Sequence, residues 1–425
     1  MSVKNEVSKL NKKGFFDILF GGTASKMVAF LSSIVIVRLV SKNDYAILGY
    51  ADNIYSYIVL FSGIGMASAV LKYCVQKDEA KNKAYYNFAL KWGTIFQIAI
   101  LAVVILITSF VELPFEGTRT ILLSLLPYGF LYYWVQLFQS FLRSRFENRK
   151  YAISSFIQVA LTFGLSVIAV TTVGIIGVPI ARAIAMIASI IIFIPVVARY
   201  YTEQKEEAIL SSVEVKAFMA LAFSMLISNV FSMIMPNNEM FLVNNILKSE
   251  TISANYKVAT LIPSQLPFVT STLVVYFFPI IAQKKCNLET WKYSTKIGFY
   301  TLIINFAITV LGCIFTPLII RIAYGNTYSD ITGLSVLIWW SFFVNAGFRM
   351  LPMNILPALG FVKFNVIVAA ASAIVLFAFD YITLKTVGLY GAVVSRLIVN
   401  FISGLIYWVY LYKKMQVSKG MIFNV

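Results

Sequence analysis

The chain contains no histidine, only three cysteines and few charged residues. The absence of histidine removes the usual proton carrier near neutral pH and most transition-metal chemistry. The cysteines, Cys74, Cys286 and Cys313, lie too far apart for a metal-binding motif and suggest no disulfide framework. The sequence therefore predicts neither a metal site nor a cofactor.

The shortage of charge also excludes a soluble protein. Charged residues make up 12% of the 425 residues, whereas a soluble domain carries about 25%. The nucleotide-binding pattern G-x-x-x-x-G-K-[ST] is absent, so we expect no ATP hydrolysis by this chain. Energy for any transport then has to come from an ion gradient or from removal of the product. The loops are too short to build an active site, which indicates that the protein is not an enzyme.

Long apolar runs dominate what is present, since 60% of the residues are hydrophobic. Each run is long enough to cross a hydrocarbon core roughly 30 Å thick. The runs are continuous, unlike the alternating ~10-residue strands of membrane barrels. The sequence predicts an all-α polytopic membrane protein with twelve transmembrane helices, the first of them a membrane helix and not a cleaved signal peptide. The predicted helices span residues 14–39, 45–71, 86–111, 120–142, 151–171, 175–199, 215–245, 252–282, 294–320, 330–357, 362–384 and 388–412.

The net charge of +17 is explained by topology. Lysines and arginines concentrate in alternate loops, which the positive-inside rule assigns to the cytoplasm. The predicted outer side carries few, namely Arg38, Lys42, Arg119, Lys248, Arg321 and Lys385. Both termini are therefore predicted to be cytoplasmic. Because orientation accounts for most of the positive charge, nucleic acid is not expected as a partner.

One segment occurs twice in the sequence, in two similar copies. Residues 174–190 read GIIGVPIARAIAMIASI and residues 388–404 read GLYGAVVSRLIVNFISG. Each copy opens one of the predicted helices at 175–199 and 388–412, so each half of the chain holds six helices and starts on the same side. This predicts two parallel-repeat six-helix bundles, residues 1–205 and 206–425, around a central cavity. Chance similarity between apolar helices is the alternative reading of the short motif.

Five cations fall within the predicted helices: Lys26, Arg182, Lys257, Arg349 and Arg396. A charge at a helix centre costs about 2.5–3.5 kcal/mol on insertion scales, so such residues normally face a bundle interior or an aqueous cavity. A cationic cavity suits an anionic substrate, and arginine suits phosphate through its paired donors. These five residues are the candidate substrate-binding residues.

Each candidate also has a structural interpretation. Arg182 and Arg396 could pair with an acid and hold their helices within the bundle, and Lys257 could extend to the membrane interface. Asp52 and Glu239 are candidates either for a coupling-ion site or for salt bridges to the cations. The remaining intramembrane acids, Asp17 and Asp380, are expected near helix ends.

Several short stretches resemble one family, the polysaccharide-transport branch of the multidrug/oligosaccharidyl-lipid/polysaccharide exporter superfamily. The segment VRLVSKNDYA at 37–46 resembles its "ARLLGPxDYG", and GIGMASA at 63–69 is similar to "GLxxA". In the second half, ANYKVA at 254–259 is similar to "GxYxxA". The stretch from Pro317 to Tyr328 resembles "PxIIxLxGxxY". Together with the doubled Gly-x-x-Gly segment, the resemblance spans the whole chain.

The resemblance implies a flippase for undecaprenyl-pyrophosphate-linked oligosaccharides, such as O-antigen or capsule repeat units, in the bacterial cytoplasmic membrane. A glycan polymerase and a chain-length regulator are the implied protein partners. Lys26 matches a functional cation of the peptidoglycan lipid II flippase branch. The chain departs from that branch because the prediction stops at twelve helices and because Asp52 stands where a second cation is expected, so lipid II is not the expected substrate.

Two other functions stay open at this stage. An ion-coupled multidrug antiporter of the same fold would favour an acidic cavity for cationic drugs, which the five cations oppose. A membrane glycan polymerase would need a catalytic acid or metal on a substantial outer loop. The acid-rich outer loop at 111–116 is too short for an active site of its own.

Overall fold

The computed structural model describes residues 15–75, 78–203, 208–282, 284 and 287–420. Every regular element within these residues is a helix. Helices are expected here because backbone groups in hydrocarbon must find their hydrogen bonds within their own segment. In chain order the helices are α1 (Phe15–Leu39), α2 (Lys42–Leu60), α3 (Met66–Tyr73), α4 (Glu79–Phe110), α5 (Thr118–Ser124), α6 (Leu126–Ser144), α7 (Asn148–Val173), α8 (Gly177–Glu203), α9 (Ser212–Leu247), α10 (Glu250–Leu261), α11 (Leu266–Ala282), α12 (Leu288–Tyr324), α13 (Thr332–Phe343), α14 (Met350–Ala358), α15 (Val362–Thr386) and α16 (Leu389–Gly420).

Ten helical segments within the described residues are long and apolar enough to cross a membrane. The other two predicted spans, at 215–245 and 252–282, are helical as α9 and as α10 with α11, and some of their side chains lie outside the described set. The all-α polytopic membrane class is therefore confirmed. Some helices are longer than predicted, because polar caps extend them beyond the apolar run. Thus α12 begins at Leu288, where the Asn287 side chain accepts a 2.9 Å hydrogen bond from the Thr290 amide.

Several predicted helices are interrupted. The predicted helix at 45–71 breaks between α2 and α3, where Gly63, Ile64 and Gly65 all have positive φ. The break coincides with a close contact, since a Cβ at Gly63 would lie 1.9 Å from the ring of Tyr133. The predicted helix at 252–282 is also interrupted, by a short 3-10 turn at Pro263–Gln265.

The described chain divides into two compact units, Met1–Met233 and Ile234–Val425. This division falls within α9, so the first part of that helix belongs to one unit and the last part to the other. In the first unit the core collects around Tyr133, whose hydroxyl donates a 2.6 Å hydrogen bond to the Ala89 carbonyl. In the second unit it collects around Ile355 and Tyr407. The lobes predicted at 1–205 and 206–425 rest on the sequence repeat and stay a prediction.

The duplicated segment adopts the same turn in both copies. Gly174 has φ +78° and Gly388 has φ +77°, the left-handed region that favours glycine. The Gly177 amide donates to the Gly174 carbonyl at 3.0 Å, and the Gly391 amide donates to the Gly388 carbonyl at the same distance. The sequence repeat is thus also a repeat of backbone geometry.

The second glycine of each copy lets two neighbouring helices touch. A Cβ at Gly177 would lie 2.7 Å from the Ala169 carbonyl oxygen of α7. A Cβ at Gly391 would lie 2.7 Å from the Thr383 carbonyl oxygen of α15. Real Cβ atoms do not approach a backbone oxygen this closely, so any larger residue would force the helix pair apart. Glycine at this position therefore holds α8 on α7 and α16 on α15.

We predict that Gly391→Ala destabilises the protein by about 1–3 kcal/mol, because the added methyl overpacks a backbone contact that cannot move aside. Thermal unfolding of the purified protein in detergent measures the effect. Gly164→Ala is the matched control, since Gly164 is also helical and has open space where its Cβ would be. A Gly391→Ala protein as stable as the control would contradict the close-packing explanation.

Candidate functional site

Arg182 in α8 forms an ion pair with Asp52 in α2. Its Nη1 contacts Asp52 Oδ1, and its Nη2 donates to Oδ2 at 3.1 Å. The pair is bidentate, which is the geometry that arginine makes best. Both side chains are partly exposed, 19% for Arg182 and 28% for Asp52. The contact joins the duplicated segment to the second predicted helix of the first half.

Arg396 in α16 forms the corresponding ion pair in the second unit. Its Nη1 donates to Glu239 Oε2 at 2.8 Å, and its Nε donates to Ser341 Oγ at 2.7 Å. The guanidinium also lies over the Phe342 ring, 4.6 Å from its centroid. This pair is more buried than the first, with 13% of Arg396 and 3% of Glu239 exposed. The arginine of the repeat is thus paired with an acid in both halves, but with acids from different helices.

A second acid lies beside this pair. Asp380 in α15 interacts electrostatically with both Glu239 and Arg396. Its side chain is fully buried, and neither carboxyl oxygen has a hydrogen-bond partner in the described part of the chain. Asp380 was expected near a helix end, and it does lie in the last part of α15. Its side chain is nevertheless buried. The corresponding position of the first repeat, eight residues before its Gly-x-x-Gly, is the neutral Ser166.

Two neutral side chains accept hydrogen bonds from Arg349. Its Nε donates to Ser403 Oγ at 2.8 Å, and its Nη1 donates to Asn345 Oδ1 at 3.1 Å. The residue ends a π-helical turn, Val344–Arg349, inserted between α13 and α14. Such turns widen a helix locally and are frequent at functional sites. Neither of these two contacts neutralises the guanidinium; they orient it.

The two candidate lysines differ in their surroundings. Lys26 is exposed in α1, about 16 Å along the helix from Phe15 at ~1.5 Å per residue. Lys257 is half-buried in α10, between the buried residues Tyr256 and Val258. Lys26 therefore lies well inside an apolar segment without being covered by the protein.

Two separate ion pairs bring together four of the seven predicted site residues. Three further polar side chains contact the arginines and were not predicted. Tyr256 and Ser341 contact Arg396, and Ser403 contacts Arg349. Uncharged polar residues are common in membrane helices, so these three did not stand out in the sequence. The sequence offered one signal for these residues, namely that an intramembrane arginine needs polar neighbours. Within the described residues no group of three or more potential ligands could hold a metal ion. The roles of the seven residues in transport stay predictions.

We predict that Glu239→Gln destabilises the protein by about 3 kcal/mol, because it leaves Arg396 as a buried charge without its carboxylate. Asp52→Asn should cost about 1 kcal/mol, since the pair with Arg182 is more exposed. Urea or thermal unfolding of both variants compares the two pairs. The double change Glu239→Gln with Arg396→Met should recover part of the loss. Equal losses at the two sites would contradict the burial argument.

We predict that Asp380→Ser stabilises the protein, because it removes a buried carboxyl to which no group among the described residues donates a hydrogen bond. The expected gain is about 1–2 kcal/mol, read as a rise in unfolding temperature. The reverse change, Ser166→Asp in the other half of the repeat, is the matched control and should destabilise. A loss of stability in Asp380→Ser would show that the carboxyl has a stabilising partner.

The fold is that of known exporters. The chain is similar to an inward-facing multidrug resistance MATE family transporter of the MOP superfamily, with a TM-score of 0.75, 13% identity, and 94% of this chain and 96% of that chain covered. It is also similar to a MOP superfamily transporter from Pyrococcus furiosus Vc1, with a TM-score of 0.65, 14% identity and coverage of 96% and 95%. At these identities the likeness shows the fold.

The sequence comparisons identify the branch. A Shigella flexneri protein provisionally named an O-antigen transporter is 26% identical over 203 residues, which are 46% of this chain and 47% of that protein. The match thus spans about half the length of this relative. Residues 12–285, more than half of the chain, match the family described as polysaccharide biosynthesis protein. Taken with the fold, this match shows that the chain belongs to that family, the polysaccharide-transport branch of the MOP superfamily, and its ten candidate spans among the described residues make it a multi-pass membrane protein.

Proposed function

We propose that this protein is a flippase that moves undecaprenyl-pyrophosphate-linked oligosaccharide repeat units across the bacterial cytoplasmic membrane. The anionic pyrophosphate would bind to cationic residues of a cavity, while the polyprenyl chain stays in the lipid. Alternating access of the two lobes would then expose the sugar on the outer face. The family, and the name of the Shigella flexneri relative, support an oligosaccharide as the cargo.

The observation that carries the proposal is the exposure of Lys26. A lysine within a candidate membrane span normally faces an aqueous cavity or the bundle interior and not hydrocarbon. A pyrophosphate head supplies two phosphate groups that accept from lysine and arginine. Lys26 therefore fits a contact with the substrate head better than a contact with lipid.

The candidate cations separate by partner. The charges of Arg182 and Arg396 are balanced by Asp52 and Glu239, so we assign these two arginines to holding their helices together. Arg349 ends the π-helical turn Val344–Arg349, a feature that is frequent at functional sites, and we assign it to the pyrophosphate with Lys26. Lys257 either contacts the substrate or extends to the membrane interface, and the sidedness assay described below distinguishes these two roles. We also propose cytoplasmic termini, and a polymerase and chain-length regulator as downstream partners.

We predict that Lys26→Gln lowers the rate of flipping at least about tenfold, because it removes one charge-assisted hydrogen bond to the pyrophosphate. Lys26→Arg should keep most of the rate, since the charge remains. The measurement is the fraction of lipid-linked oligosaccharide reachable from the outer face of cells that depend on each variant. Lys413→Gln is the control, an exposed lysine of α16 that follows the apolar core.

Three results would contradict this reading. Equal loss in Lys26→Gln and Lys26→Arg, at equal membrane levels, would remove the charge argument. Unchanged sidedness with altered drug tolerance on depletion of the protein would indicate the multidrug antiporter. Unchanged sidedness with shorter outer glycan chains would indicate the polymerase.

A further inference from the structure

The two halves of the chain share a second turn, at the end of α6 and of α14. The Phe146 amide donates to the Arg143 carbonyl at 3.0 Å and the Glu147 amide to the Leu142 carbonyl at 3.0 Å. The second half repeats both bonds at 3.0 and 2.9 Å, from Gly360 to Pro357 and from Phe361 to Leu356. These bonds define a Schellman motif, in which the last helical carbonyls are satisfied by a residue in the left-handed conformation.

The left-handed residue differs between the halves. It is Gly360 in the second half, with φ +91°, and Phe146 in the first half, with φ +59°. The same number of residues separates Phe146 from Gly360 as separates Gly174 from Gly388, so the two positions are equivalent. Glycine is the usual residue here because a Cβ clashes in this conformation. The turn itself therefore gives no reason for a phenylalanine.

The Phe146 side chain is 71% exposed, so core packing gives no reason for it either. The two charged residues next to Phe146, Arg145 and Glu147, are already paired. Arg145 bonds to Glu79, and Glu147 accepts from Lys150 at 3.0 Å and from the Tyr200 hydroxyl at 2.7 Å. The hydrogen bond from Tyr200, and then Lys150, lower the pKa of Glu147 below its ordinary value, which keeps that carboxyl ionised.

The exposed side chains of the turn are one aromatic ring and two cations. Arg143 and Arg149 are exposed on either side of Phe146, and the Arg143 guanidinium lies 5.2 Å from the Tyr151 ring centroid. An apolar ring between two arginines matches the boundary of a bilayer, where acyl chains meet anionic headgroups.

The length of the turn keeps it at the membrane. Only residues 145–147 join the spans Thr118–Ser144 and Asn148–Val173. At ~1.5 Å per residue α7 is about 39 Å long, which exceeds a hydrocarbon core of roughly 30 Å but not the bilayer with its headgroups. The three exposed side chains are thus held at headgroup depth, where lipid is the neighbour always present.

We propose that Phe146, Arg143 and Arg149 form a binding site for anionic phospholipid of the leaflet in which the turn lies. The arginines hold the headgroup phosphates, and the phenyl ring inserts among the first acyl carbons. Contact with lipid offsets the unfavourable backbone conformation of Phe146 and fixes the α6–α7 hairpin at one depth. This site is separate from the proposed flipping of oligosaccharide and does not depend on it.

The test compares unfolding temperatures of the full-length protein in nanodiscs of phosphatidylcholine and of an equal mixture with phosphatidylglycerol. In phosphatidylcholine alone, Phe146→Gly should unfold about 2 °C higher than the natural protein, because the backbone strain is relieved. The rise that phosphatidylglycerol gives the natural protein should fall by at least about half in Phe146→Gly and in the double variant Arg143→Gln, Arg149→Gln. Phe110→Ala is the control, since Phe110 is also highly exposed and lies at another helix end. It should keep the full rise.

An equal phosphatidylglycerol-dependent rise in the natural protein and in Phe146→Gly would overturn the proposal. A second measurement separates lipid from a protein partner. With Phe146→p-benzoylphenylalanine in living cells, light should produce adducts to phospholipid. Adducts to another protein would instead mark a protein docking site and would also overturn the lipid assignment.

Discussion

A charged side chain in the membrane interior needs a partner of its own, and the arrangement of helices in each unit depends on how this need is met. Arg182 reaches back across the chain to Asp52, and Arg396 reaches Glu239. Each contact ties the duplicated segment to an early helix of the same unit. Because the cost of an unpaired charge grows with its burial, from about 1 kcal/mol for the Asp52 pair to about 3 kcal/mol for the Glu239 pair, these pairs limit how the helices can rotate or slide.

Glycine makes the same packing possible at the level of the backbone. Gly177 and Gly391 bring the helices of each repeat together closely enough for one backbone to touch the next. The same number of residues separates Gly177 from Arg182 as separates Gly391 from Arg396. The helix contact at each glycine therefore also determines where the charge of the arginine lies. The doubled segment is therefore a unit of packing and electrostatics together.

On this shared backbone the two halves carry different chemistry. The second half has Asp380 where the first has Ser166, and the first has Phe146 where the second has Gly360. The first difference adds a buried acid beside Arg396, and the second adds an exposed ring at the turn between α6 and α7. The two halves thus share a backbone turn and a helix contact without sharing these side chains.

The class, the helices and the repeat were predictable because they depend on local properties. The length of each apolar run predicts a membrane helix, and the positive φ of Gly174 and Gly388 agrees with the glycines written there. The breaks in helices were not predictable in the same way. The break at Gly63–Gly65 coincides with the ring of Tyr133, which comes from a helix distant in sequence. The start of α12 depended on the cap at Asn287, which lies outside the apolar run.

The sequence by itself determined that this is a helical membrane protein with a repeated segment, because hydropathy and glycine spacing act over a few neighbouring residues. Only the tertiary structure decided which acid each arginine meets, since Asp52 and Arg182, like Glu239 and Arg396, lie far apart in the chain. It also decided that Asp380 is buried with no hydrogen-bond donor among the described residues, while Phe146 is exposed in a strained turn. Burial is a property of the whole packed bundle and cannot be read from one helix alone.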